Sequence, residues 1–193
     1  MRDLPPEPDL DALLSRLEDR GLGDIPLRAK AALQPFSRGS MTAATNLLDK
    51  ATDALDRGED ERADHLIAKA VALPYDEYED APPAEWQAHM AIFMAVTDAC
   101  EDDVDADDVW LDAALHAMAE APPGGRATLR DCLVTMIQDY DMPPRMVRRI
   151  RSGVADLPPS RSWRELHLAS DEERVRWIRE TLLALIAFED ALI

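Results

Sequence analysis

Ser40 to Pro74, SMTAATNLLDKATDALDRGEDERADHLIAKAVALP, is the stretch that most limits what the chain can become. Met41, Ala44, Leu47, Leu48, Ala51 and Leu55 recur at three- and four-residue steps. That period places them on one face of a helix. Ala63, Ile67, Ala70 and Val71 repeat the pattern after Arg57-Gly58. Gly58 ends the first helix, because glycine alone enters the left-handed region without a Cβ penalty. The expectation is two amphipathic helices folded back on each other, with Ser40 as the N-cap of the first.

The rest of the sequence extends this pattern. Leu4 to Pro8 reads as an extended leader over residues 1–8, since its prolines exclude helix. Residues 9–38 read as short helices: one from Asp9 to Gly21, and one from Pro26 to Leu33 broken at Pro35. Further helices are expected over Ala84–Glu101, Asp107–Ala121, Arg126–Tyr140 and from Pro143-Pro144 to Val154. Ala84–Glu101 is apolar nearly all round and is expected to lie at the centre of the core. A final helix starts at Ser170, with Glu173 three residues on as its capping-box partner. Val175, Ile178, Leu182, Leu185 and Leu192 form a heptad-like seam on it, interrupted by Glu189. This helix over 170–193 is either clasped by several helices of its own chain or forms a homodimer interface.

Neither alternating β-branched runs nor an Asn-Gly hairpin turn is present. The fold class is therefore all-α. We expect a single domain over 1–193 with its helical core in 40–157, an irregular bundle or a short array of antiparallel hairpins of seven to nine helices.

The Ser40–Pro74 hairpin resembles a tetratricopeptide-type repeat over residues 41–74. Leu47 and Ala51 take the large and small positions of the first helix, and Gly58 sits at the bend. Ala63, Ile67, Ala70 and Pro74 follow in the second. Lys50 and Ala54 depart from the pattern, standing where it prefers an apolar and an aromatic residue. A degenerate second copy falls over 84–122, on Trp86, Met90, Phe93, Ala114, Met118, Ala121 and Pro122. The resemblance implies stacked helical hairpins.

Net charge is -18 and unevenly spread. Between Lys69 and Arg126 there is no Lys or Arg, against fourteen Asp or Glu. Such a field repels nucleic-acid phosphate and anionic lipid and attracts a basic partner. Neither nucleic acid nor membrane is thus an expected partner. Residues 1–10 lack a basic n-region and an apolar h-region, and no apolar run is long enough to cross a bilayer. The expected location is cytoplasmic. Cys100 and Cys132 lie in apolar helical stretches and read as core thiols rather than a disulfide.

Three acid–histidine pairs stand four residues apart: Glu61/His65, Glu85/His89 and Asp112/His116. That spacing puts both side chains on one helix face, where they could share an ion. Dinuclear carboxylate bundles instead use Glu-x-x-His, which this chain lacks, so no metal or other cofactor is expected. The run from Glu101 to Asp108 alternates acids like an EF-hand loop at Asp103, Asp105 and Asp107. Asp108 then occupies the sharp-turn glycine position, and Ala114 the place of the bidentate glutamate. The arginines at 145–151 read as a solvated helix face that neutralises the acidic interval.

Gly-rich phosphate loops, nucleophile elbows and Cys-x-x-Cys pairs are lacking. The function expected is a non-enzymatic protein-interaction module of unstated pathway. Glu101, Asp102, Asp103, Asp105, Asp107 and Asp108 would offer an acidic face to a basic protein. The alternative is a metal-dependent helical-bundle enzyme built on the acid–His pairs.

Overall fold

The computed structural model describes residues 26–74, 82–102 and 108–193. Among them are eight helices and no strand: α1 (Pro26–Asp56), α2 (Asp60–Val71), α3 (Pro83–Asp102), α4 (Val109–Glu120), α5 (Pro123–Asp139), α6 (Pro144–Val154), α7 (Trp163–His167) and α8 (Asp171–Leu192). The chain is all-α. The expected leader over 1–8 and the helix from Asp9 to Gly21 lie outside the described residues.

The hairpin forms as its periodicity demands. Gly58 takes φ +70°. Its N–H donates to Leu55 O (2.9 Å) and that of Glu59 to Ala54 O (2.8 Å), the paired closure of a Schellman turn. Ala44, Leu48, Ala51, Ala54 and Leu55 are buried on α1, facing Ala63, Ile67, Ala70 and Val71 on α2. The alanines let the two backbones approach closely.

Two expectations about the start of α1 are corrected. The helix runs unbroken for 31 residues through Pro35, Gly39 and Ser40, so residues 26–38 are no separate short helix. Ser40 therefore does not cap. It is buried, and its hydroxyl donates to Pro74 O (2.5 Å), tying the open end of the hairpin together.

The hairpin α1–α2 packs against α3 as expected, but the most extensively packed helix is α8. Helices α1 to α5 all pack against α8. Two apolar clusters meet along it. Trp177, Ile178 and Leu182 join Leu48, Ile67, Ala88 and Leu166 in one. Ala184, Leu185 and Phe188 join Ile92, Trp110, Leu129, Leu133 and Ile150 in the other. Ile178, Leu182 and Leu185 of the heptad-like seam are thus buried within the chain, while Val175 and Leu192 are partly buried. On α3, by contrast, Trp86 and Met94 remain exposed, at 36% and 47%. Apolar character all round was not enough to bury α3 on every side, whereas α8 offers large side chains to both clusters.

Chemistry at the helix ends secures this arrangement. Ser170 and Glu173 form the expected capping box, and Ser162 and Glu165 form a second on α7. Hydrogen bonds from Ser170 hold the Glu173 carboxyl below its ordinary range. Gly124 N–H donates to the Glu180 carboxylate (2.6 Å), so α8 caps α5 from the side. Arg126 donates from Nε to Met118 O (3.0 Å) and from Nη2 to Ala121 O (3.1 Å), covering carbonyls at the C-terminus of α4. Thr128 and Thr181 hydroxyls pair at 3.3 Å in the interior between α5 and α8.

Candidate functional site

The acid–His pairs are not brought together. Glu61 and His65 are exposed on α2, and His116 is exposed on α4. Glu85 is fully buried and receives Arg174, with Nε–Oε1 at 2.5 Å and Nη2–Oε2 at 3.3 Å. His89 packs edge-on to Trp163 (5.5 Å between centroids) and stacks on Phe93 (6.5 Å). Burial pushes its imidazole pKa down, with Asp131 opposing. Asp112 is paired with Arg149. Among the described residues no group of three His, Cys, Asp or Glu side chains is placed to hold a metal ion.

The acidic run is only partly in view. Glu101 and Asp102 form the last turn of α3, while Asp103, Asp105 and Asp107 lie outside the described residues. Asp108 corrects the expectation of an outward carboxylate. It adopts φ +38° at the start of α4, is 9% exposed, and accepts from Arg145 Nη2 (3.1 Å) and Arg149 Nη1 (3.0 Å). Arg145 and Arg149 lie on the solvated face of α6 (side chains 62% and 38% exposed) and at the same time clamp Asp108 at the start of α4; Arg148 and Arg151 are exposed as well.

Cys132 is buried and its thiol is pushed up to about 12 by burial, which makes it inert. Cys100 is half-buried.

Two cavities flank the segment Pro158–Ser162. The one beside His89 is about 570 Å³ and is also lined by Asp131 and Glu165. Its acids are committed: Asp131 to Arg130 (2.6 Å) and to Ser160 N–H (2.9 Å), and Glu165 to the α7 cap. The other cavity, about 420 Å³, is lined by Glu173 and Glu180, which hold Arg161 (3.3 Å) and Gly124. Both read as seams between packed elements.

A third cavity differs. It is a groove of about 400 Å³ between α1, α3 and α8. Its apolar floor comes from Leu48, Met90, Met94, Leu182 and Leu185. Asp49, Asp53 and Glu189 stand along it, and no Lys or Arg lines it. Some acids elsewhere in the fold hold arginines: Asp60 and Asp64 take Arg179, each at 2.7 Å, and Glu59 takes Arg57 (3.0 Å) and Arg62 (2.8 Å). Among the described residues no ion pair reaches Asp49, Asp53, Asp56, Glu189 or Asp190. Burial and the nearby Asp190 and Asp56 raise the Glu189 carboxyl above its ordinary pKa. Negative charge accumulates here without internal neutralisation.

No family model, curated protein or solved structure matches this chain.

Sequence reasoning missed this groove, although two signals pointed to it. Asp49, Asp53 and Asp56 share one side of α1 at helical spacing, and Glu189 breaks the α8 seam. Which acids lack an arginine is settled only by packing.

Proposed function

We propose that this chain is a non-enzymatic protein-interaction module whose acidic face receives a basic segment of another protein. The observation that carries the reading is the grouping of carboxylates without an ion pair, Asp49, Asp53, Asp56, Glu189 and Asp190, around a groove that no Lys or Arg lines, close enough that Asp56 and Asp190 act on Glu189. Keeping like charges together costs stability, and such a cost is common where a surface is held ready for a ligand. A cationic partner relieves the repulsion. The field of a chain with net charge -18 also speeds encounter with a basic protein. Helix α3, which lends Met90 and Met94 to the groove, ends in Glu101 and Asp102.

The test is binding of a Lys/Arg-rich peptide across a salt series. Affinity should fall steeply between low and physiological ionic strength, because exposed charges are screened within about 10 Å at 0.1 M. Replacing Asp49 and Asp53 by Asn and Glu189 by Gln should weaken binding roughly tenfold, three exposed pairs at about 0.5 kcal/mol each. Salt-independent binding, or affinity untouched by the triple replacement, overturns the reading.

A further inference from the structure

We infer that the groove between α1, α3 and α8 takes an amphipathic cationic helix, which inserts apolar side chains over the methionines and sets Lys or Arg against the rim; this rests on the acidic-face reading above. The floor asks for more than charge. Leu48, Leu182 and Leu185 are buried at its base, yet Met94 is 47% exposed, Ala91 is exposed and Met90 is half-buried. Two methionines separated by one helical turn, with a short alanine between them, form a pliable apolar surface open to solvent. Methionine is flexible and polarizable, which suits it to receiving side chains of varied shape.

The walls specify a helix. Only helices border the groove, and no strand edge exists among the described residues on which an extended peptide could pair. A helix offers apolar anchors at three- and four-residue steps, which fit a slot between helices by ridges and grooves. Asp49 and Asp53 stand one turn apart on α1, roughly 6 Å along its axis. Cations three or four residues apart on a partner helix match that spacing. Glu189 supplies charge from α8. A second copy of this chain is the wrong occupant, since it carries the same charge of -18.

The test uses a fluorescein-labelled Leu/Lys peptide of helical amphipathic periodicity and a scrambled peptide of identical composition, titrated by anisotropy. The amphipathic peptide should bind at least tenfold tighter than the scramble. Ala91→Trp, which fills the groove from an exposed position, and Met94→Gln, which removes apolar surface without adding charge, should each erase that preference while leaving binding of the scramble unchanged. Circular dichroism melts establish that both variants fold. Equal affinity for the two peptides, or a preference that survives both substitutions, overturns the helix inference and leaves the acidic face standing. Indifference of both peptides to Asp49→Asn, Asp53→Asn and Glu189→Gln together overturns the acidic face itself. A concentration-dependent dimer abolished by Ala91→Trp, seen by sedimentation, would place a second copy in the groove and overturn the inference.

Discussion

Arg174 on α8 closes on Glu85 on α3 through Nε–Oε1 at 2.5 Å and Nη2–Oε2 at 3.3 Å, with the carboxylate wholly buried and Arg174 8% exposed. Asp171, 3.2 Å away, shares the guanidinium. The pair ties together the starts of two helices that are distant in sequence.

Because the pair is buried, removing Glu85 takes away the buried counter-charge of the guanidinium and leaves it the exposed Asp171. Glu85→Gln should destabilise by about 3–5 kcal/mol, whereas Glu85→Leu combined with Arg174→Leu should cost far less or nothing. Urea denaturation of the single and double variants decides it. Equal losses in both would show that the pair is not energetically isolated in the core.

Contact between α5 and α8 is close enough to require glycine. A Cβ on Gly125 would lie 2.1 Å from Glu180 O and 2.7 Å from the Ala184 Cβ. Gly125→Ala should therefore cost at least about 1–3 kcal/mol, as overpacking does. Gly153→Ala is the comparison: its Cβ meets only the end of the Leu115 side chain at 2.6 Å. Leu115 can move, and alanine gains up to about 1 kcal/mol of helix propensity over glycine, so Gly153→Ala should be neutral or stabilising by thermal melt.

His89 couples stability to pH. Burial lowers its pKa in the fold below the ordinary 6.5, against a smaller opposing effect of Asp131. Below 6.5 the unfolded chain binds the proton more readily than the folded one. Its contribution is thus fully present above 6.5 and is lost as pH falls from there through the lower pKa of the folded state. Stability of His89→Gln, relative to wild type, should rise as pH drops from 7.5 to about 5. A constant difference across that range would refute the assignment.

Glu189 acts in the opposite sense. Its pKa is raised by burial and then by Asp190 and Asp56, so the folded state holds a proton that the unfolded state releases above its ordinary 4.5. Ionised Glu189 is a destabilising group at neutral pH and neutral in effect below 4.5. Glu189→Gln should raise the melting temperature at pH 7, with the gain fading toward pH 4. A destabilised variant at pH 7 would place a hidden cationic partner beside Glu189.

What the sequence by itself determined is local. The 3.6-residue periodicity, the Gly58 turn and the Ser170/Glu173 cap depend on residues within a turn or two, and each stands where those residues put it. Local rules failed at Pro35 and Ser40, where a helix already under way absorbed a breaker and a cap residue and Ser40 bonded across to Pro74. What only the tertiary structure decided is pairing: Glu85 with Arg174 across 89 residues instead of His89, and Asp108 with Arg145 across 37. Tertiary structure also gave α8 the most extensive packing and left the carboxylates around Glu189 without a cation. A charge finds its partner through space, and spacing along the chain carries that information only within one helix.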